Sequence, residues 1–358
     1  MSDNIRDAIA GEEVRVDYNS IEQTLAELWR IEKTEGEAVT RAALWNVVAH
    51  ASSSEHHTSA SEILGRASIA VPQRTIVIRT NPEGPPEMAA WISANCHLLG
   101  AGKQVCSEEI SIVAGGDRVE RVPPLVHALL IPDMPVAFWW VGDLPHENEA
   151  YVRSLLGPAD RLIVDSVHFD SPEDLGLVQR TGERTSTPPA DLNWVRLDEW
   201  RAAAASVFDP PSMRGRLKTL REIRIIANVT DIAYFGESVE ALYLASWLVA
   251  QAGMGVDDSG NIPDLSCTFE FRPADTRGIL RVDLEMDGSS AAIERHPERC
   301  VLTTNVDGQL NVPEALLRTS RKKVDELIVR ELKQPESDRL LMKVLPSAIR
   351  IARRRSAA

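Results

Sequence analysis

Between Arg74 and Asp165 the chain alternates short runs rich in β-branched and aromatic residues with stretches of helical length, and this alternation most constrains the fold. The runs Arg74–Thr80, Val105–Ala114, Val136–Val141 and Arg161–Asp165 read as strands, bounded by turn formers such as Pro72, Asn81-Pro82 and Gly115-Gly116. Glu87–Leu99, Pro123–Leu130 and Glu147–Leu156 read as helices, the second with a proline suited to its first turn. Val136-Ala-Phe-Trp-Trp-Val141 is apolar throughout. A strand apolar on both faces has to be covered on both, which implies a mainly parallel sheet between helices.

Upstream, Ser20–Lys33 has the pattern of an opening helix, with Ser20 and Gln23 spaced as a capping box. Val39–Ala51 has helix-compatible apolar spacing, Ser52–Ser59 reads as a break, and Ser61–Ala70 as a short helix. Downstream the pattern changes. Ile223–Val229 reads as a strand and Ser238–Ala252 as a helix. Four strands follow, at Cys267–Phe271, Ile279–Glu285, Ala291–Glu294 and Val301–Thr304, with Asp287-Gly288 favouring antiparallel pairing. The helical tail carries Val324, Leu327, Ile328 and Leu332 on one face, then Leu340, Leu341, Val344 and Leu345 beyond Pro335. The expected fold class is α/β, an N-terminal mainly parallel sheet covered by helices, followed by a smaller α+β domain with antiparallel strands and a helical C-terminal tail. Pro210-Pro211 suggests the boundary, giving domains 1–209 and 210–358.

Charge narrows the partners. The 358 residues carry a formal net charge of −14. Residues 311–358 hold 12 Lys/Arg against 6 Asp/Glu, so the body is strongly acidic and the tail basic. An acidic body repels nucleic-acid phosphates and anionic membranes, and neither is an expected partner. No apolar run approaches the ~20 residues that span a bilayer, and the first residues lack a signal-peptide pattern. Four cysteines in a chain of this length do not make a disulfide scaffold. The expected location is the cytoplasm.

Motifs for chemistry are sparse. Gly100-Ala-Gly102-Lys103 and Gly253-Met-Gly255 each follow a predicted helix, whereas a phosphate cradle follows a strand. His50, His56 and His57 are the densest imidazole group, but a polar, Ser-rich loop suits exposed histidines better than a metal. No cofactor or metal is expected. Cys96 and Cys106 lie ten residues apart across a predicted helix–strand connection; two buried thiols are the plainer reading, a redox pair the sharper one. Asp165-Ser166 ends a strand, where α/β sheets place ligands, and with Arg74 forms a candidate sugar-phosphate- or nucleotide-binding site. Asp133, just before a strand, reads as a turn former.

Other residues suit recognition. Trp139 and Trp140 are adjacent on a strand and face opposite sides, as two core residues or as one core residue and one anchor. Trp194, Arg196, Trp200 and Arg201 group two types common at interface hot spots. These six are the candidate partner-binding residues.

Several blocks in order carry a family resemblance: Arg41–His50, Pro72–Ile78, Val105–Ile110, Leu129–Trp140, Asp160–Ser166 and Asn193–Arg201. Over residues 20–255 the chain resembles the OpcA family, the glucose-6-phosphate dehydrogenase assembly proteins of bacteria. Leu244–Val249 also resembles a family helix, although Met254 follows Gly253 where a tryptophan is expected nearby. The resemblance implies a non-catalytic protein that binds glucose-6-phosphate dehydrogenase and promotes its active oligomer, as assembly factor or allosteric effector in the pentose phosphate pathway. It supplies no catalytic residues. The alternative is a sugar-phosphate- or nucleotide-binding enzyme using Asp165, Ser166 and Arg74.

Overall fold

A computed structural model describes residues 8, 12–34, 39–99, 103–142, 149–296, 301–307, 309–311, 322–334, 336 and 338–357. In chain order these form β1 (Val14–Val16), α1 (Ile21–Thr34), β2 (Val39–Arg41), β3 (Trp45–Ala51), α2 (Ser54–Ala70), β4 (Gln73–Asn81), β5 (Glu87–Leu99), β6 (Lys103–Gly115), α3 (Val122–Leu129), β7 (Val136–Val141), α4 (Glu149–Leu156) and β8 (Arg161–Val164). There follow α5 (Pro172–Thr185), β9 (Pro189–Asp191), α6 (Leu192–Arg196), α7 (Asp198–Val207), β10 (Leu220–Val229), α8 (Val239–Gln251), β11 (Ser266–Pro273), β12 (Gly278–Met286), β13 (Ser289–His296), β14 (Val301–Val306), β15 (Gln309–Asn311), α9 (Val324–Leu332) and α10 (Arg339–Ala357).

The fold is α/β. The larger sheet has the order β1-β5-β6-β4-β3-β7-β8-β9, with β2 also on β6. The run β6-β4-β3-β7-β8 is parallel, while β5 is antiparallel to β1 and β6. Val48 faces Ile76 on one side and Phe138 on the other, and all three are buried. Each such side chain contributes about 1.5–3 kcal/mol on leaving water. The smaller sheet runs β11-β10-β12-β13-β14-β15 and is antiparallel except for the β10–β11 pair, which is parallel. That exception follows from α8, which lies between β10 and β11 in sequence and carries the chain back to the starting end.

Three sequence expectations change. Val39–Ala51 forms β2 and β3 rather than a helix. β3 is central and buried on both faces, so it lacks the two-residue alternation that marks a strand. Glu87–Leu99 is β5, not a helix; its alanines permit a helix, but pairing with β6 along 13 residues decides the outcome. Ser52–Ser59 starts a helix instead of breaking one: Ser53 caps α2, its hydroxyl accepting from the His56 amide at 3.1 Å. Helix α5 falls in a stretch with no sequence assignment. Gly100 and Gly102 lie outside the described residues.

The chain forms two compact units, each drawn from separate stretches of sequence. One comprises Met1–Val164, Thr181–Pro189 and Val324–Ser337; the other comprises Asp165–Arg180, Ala190–Lys323 and Asp338–Ala358. In the first, α9 buries Leu327, Ile328 and Leu332, and its Glu331 pairs with the buried Arg161 of β8 at 3.1 Å. In the second, α10 packs on α8 through Leu341, Val344, Leu345, Ala348 and Ala352, a stripe at helical spacing. No described helix is long and apolar enough to cross a membrane.

Candidate functional site

The second unit holds a buried polar network around Asp165 and Ser166. Asp165 follows β8 and caps a short 3-10 turn, Ser166–His168, accepting from the Val167 amide at 3.3 Å. Arg196, at the end of α6, donates to both carboxylate oxygens, at 2.7 and 2.8 Å. It also donates to Asn193 Oδ1 at 2.8 Å, and Asn193 Nδ2 donates to the Ser166 hydroxyl at 3.0 Å. Asp191 completes the set. Its carboxylate accepts from the backbone amides of Ser166 and Asn193 and, at 2.7 Å, from the Tyr243 hydroxyl.

The two carboxyls differ because their partners differ. Burial works to raise the Asp165 pKa, yet the charge and hydrogen bonds of Arg196 hold it below the usual carboxylate range. Among the described residues, no cation is hydrogen-bonded to Asp191. Burial, and next to it the Asp165 charge, push its pKa up to about 6 against the bonds from Ser166, Tyr243 and Asn193. Burial, then the Asp191 charge, raises Tyr243 well above its ordinary value. Arg196, bidentate on Asp165, rises as well. Each group is thus matched to another group of the chain. The arrangement resembles a structural latch more than a reactive centre, because the Asp165 charge is neutralised by Arg196 and Asp191 is occupied by two backbone amides and the Tyr243 hydroxyl. Among the cavities lined by described residues of this unit, two, of about 490 and 380 Å³, do not include Asp165 or Ser166.

Arg74 belongs to the first unit. It lies on β4 beside Glu108 of β6, with both side chains 2% exposed and an Nη2–Oε2 distance of 2.7 Å. It also bonds Glu22 and, at 2.6 Å, the Leu129 carbonyl. Arg41 and the Trp29 indole add bonds to Glu108 at 2.7 and 2.5 Å. This is a buried ion network knitting α1, β2, β4 and β6 together. The candidate ligand set Arg74, Asp165, Ser166 is therefore divided between two structural networks.

The first unit also has a topological switch. The chain leaves β3 through α2 to β4 on one side and later adds β7 on the other, so the carboxyl ends of β3 and β7 frame the crevice where open α/β sheets place ligands. His50, on β3, and His56, beside Gly142 just after β7, lie near these strand ends. His50 stacks on Trp140 with centroids 4.4 Å apart, and its Nε2 lies 3.0 Å from Thr80 Oγ1. Burial lowers its pKa to about 4, so the ring is neutral near pH 7. His56 packs on Gly142, where an added Cβ would lie 2.4 Å from the ring. His57 lies 3.1 Å from the Ser111 hydroxyl. The polar loop expected around His56 and His57 is the start of α2. Among the described residues, no group of three His, Cys, Asp or Glu side chains is placed to hold a metal ion.

The tryptophans are interior. Trp139, Trp140, Trp194 and Trp200 are 3%, 4%, 2% and 2% exposed. These four side chains pack inside the fold. Arg201 lies over the Trp194 ring at 3.8 Å, donates to the Trp194 carbonyl and pairs with Asp198. Trp194 Nε1 donates to Asp338 at 2.5 Å. Asp133 takes a left-handed turn conformation with φ of 62°. Cys96 and Cys106 are joined in a disulfide across directly opposed positions of β5 and β6, Cα atoms 4.0 Å apart. The reading as two free thiols does not hold, because the pairing of β5 with β6 sets the two cysteines directly opposite one another. Asp191 and Tyr243 escape sequence reading: one looks like a helix cap, and the other sits in an apolar helix. Glu108 gives a signal only in hindsight, as a charge inside an otherwise strand-like run.

Comparison with known proteins adds independent information. Residues 65–180 match a family model described as the glucose-6-phosphate dehydrogenase subunit N-terminal domain, and residues 187–345 match its C-terminal counterpart. A protein of Synechocystis sp. named "Putative OxPP cycle protein OpcA" is 29% identical over 184 residues, covering 50% of this chain and 37% of that one. Its namesake in Nostoc punctiforme is 32% identical over 165 residues, covering 45% and 34%. The chain thus spans less than half the length of these curated relatives. An oxidoreductase structure from Sinorhizobium meliloti covers 88% of this chain and 96% of that one, at 9% identity and a TM-score of 0.47, too remote a likeness to bear on function. With its two domain models matched in tandem across most of its length, the chain belongs to the OpcA family.

Proposed function

We propose that this protein is a non-catalytic partner of glucose-6-phosphate dehydrogenase in the oxidative pentose phosphate route, and that it acts by favouring the dehydrogenase's active oligomer. The observation that carries this reading is the tandem match to two domain models described as parts of a glucose-6-phosphate dehydrogenase subunit. The names of the cyanobacterial relatives, which refer to the OxPP cycle, point the same way. The mechanism is differential affinity. A protein that binds the active oligomer better than its dissociated form shifts the population by the ratio of the two affinities. Such action needs a stable surface and no reactive group. The pairing of Asp165 with Arg196 and of Arg74 with Glu108 inside the fold accords with that.

The enzyme alternative around Asp165, Ser166 and Arg74 draws no comparable support, since all three are committed to internal networks. Sizing chromatography of the dehydrogenase from the same organism, with and without this chain, tests the proposal. Co-elution in a larger species is expected. Independent elution at micromolar concentrations of both, under reducing and oxidising conditions, overturns it.

A further inference from the structure

The last turns of α10 carry four arginines, and they divide into two pairs. Arg350 is tied down, reaching Asp258 at 3.5 Å and the Val256 carbonyl at 3.3 Å. Arg353 pairs with Glu173 at 3.5 Å. Arg354 and Arg355 have no carboxylate partner among the described residues, and both line one cavity of about 490 Å³. That volume falls within the ~300–1,000 Å³ range of small-molecule sites.

The cavity has distinct walls. One is β11, the edge strand of the smaller sheet, whose outer side pairs with no other described strand. From it Ser266 and Thr268 offer hydroxyls, and Cys267 offers a thiol. Another part of the lining is the turn at Gly260, packed so closely on α10 that an added Cβ there would fall 2.4 Å from the Arg350 carbonyl oxygen. Asp257 ties this turn off by accepting from the Ser259 and Asn261 amides at 2.9 and 2.8 Å. Ile262, Leu265 and Ile351 give the cavity an apolar floor.

The charge in this cavity is uncompensated from within. Arg355 lies over the Phe271 ring at 4.1 Å, partly withdrawn from water, and burial lowers its pKa with no anion to offset it. Cys267 does not serve as the anion: burial pushes its thiol up to about 12, which keeps it neutral. Cations in the last turn of a helix are favoured by its dipole. The dipole does not account for two guanidinium groups converging on one cavity while their neighbours hold carboxylates.

We propose that this cavity between β11 and the C-terminal turns of α10 binds a small phosphorylated metabolite, with Arg354 and Arg355 holding the phosphoryl group and the apolar floor carrying the body of the ligand. Guanidinium groups suit phosphate because their forked N–H groups match two of its oxygens at once. The site lies wholly within the second unit and is independent of whether the dehydrogenase is the partner.

The test is isothermal titration of the full chain with inorganic phosphate, a hexose 6-phosphate and adenosine monophosphate. Saturable one-to-one binding of one organic phosphate, at least tenfold tighter than inorganic phosphate, is expected. The double substitution Arg354→Gln/Arg355→Gln weakens that binding tenfold or more, while Arg353→Gln changes it less than about twofold. Hydrogen exchange on the unmodified protein gives a second reading that needs no variant: the bound ligand protects residues 266–269 and 351–355. No binding in any arm, inorganic phosphate binding as tightly as both organic ones, undiminished binding in the double variant, or protection confined to other segments each overturns the site.

Discussion

Arg196 holds Asp165 through two N–H···O bonds of 2.7 and 2.8 Å, a bidentate ion pair buried beside a second carboxyl, Asp191. Removing one member leaves the other charged and unpaired away from water. Arg196→Gln is therefore expected to lower unfolding free energy by about 3–5 kcal/mol. The double variant Arg196→Met/Asp165→Leu is expected to lose less than the single one, because no orphan charge remains. Urea unfolding measures both; a single variant within 1 kcal/mol of the parent contradicts the latch.

Asp191 and His50 give opposite pH signatures. Asp191 has a folded pKa raised to about 6, so its protonated form favours the fold. Its contribution is complete below the ordinary carboxylate value and is lost as pH rises through about 6. His50 has a folded pKa lowered to about 4 from 6.5. Its contribution is complete above pH 6.5 and is lost as pH falls through 4, on the order of 3 kcal/mol in full. His50→Phe is thus expected to flatten the loss of stability on acidification between pH 6.5 and 4. Asp191→Asn is expected to remove an opposing slope between about pH 4 and 6. Thermal melts across that range, compared with the parent, read both signs.

The Cys96–Cys106 disulfide closes a loop of about ten residues within the β5–β6 hairpin, next to Trp29 and Ala94 in the core. Loop-entropy reasoning assigns such a bond about 2–3 kcal/mol. Reductant is expected to lower the melting temperature of the parent and to leave a Cys96→Ala/Cys106→Ala variant unchanged. An equal response of the two proteins to reductant contradicts this. The redox proposal for the pair requires more, namely that the effect on the dehydrogenase also change with thiol state in the parent alone.

The parts of the fold legible in the sequence are those whose residues have little choice. β4 and β7 are β-branched or aromatic nearly throughout, and no helix accommodates them as well. β5 was hidden by Ala89, Ala90 and Ala94, which suit a helix until β6 supplies a partner along the whole strand. Helix α5 is hard to see because Pro172–Thr185 is mostly polar, with Leu175 and Val178 among the few residues it buries. The site shows the same division. Asp165 at a strand end was visible, whereas its partner lies 31 residues away and Tyr243 lies 52 residues from Asp191, separations that local patterns do not report. The tryptophans are ambiguous in sequence because their type marks both cores and interfaces, and burial places Trp139, Trp140, Trp194 and Trp200 inside. The cavity near Arg355 was half legible: the basic tail stands out in the sequence, but which of its arginines lack carboxylates depends on Asp258 and Glu173.

The central claim is that this chain favours an active oligomer of glucose-6-phosphate dehydrogenase without doing chemistry itself. The most direct measurement is the initial rate of the purified dehydrogenase at fixed concentration as this chain is titrated in, with sedimentation velocity on the same mixtures. The account predicts a saturable rise in rate that tracks the larger species at one stoichiometry. A rate and a sedimentation profile both unchanged at saturating concentrations of this chain contradict it.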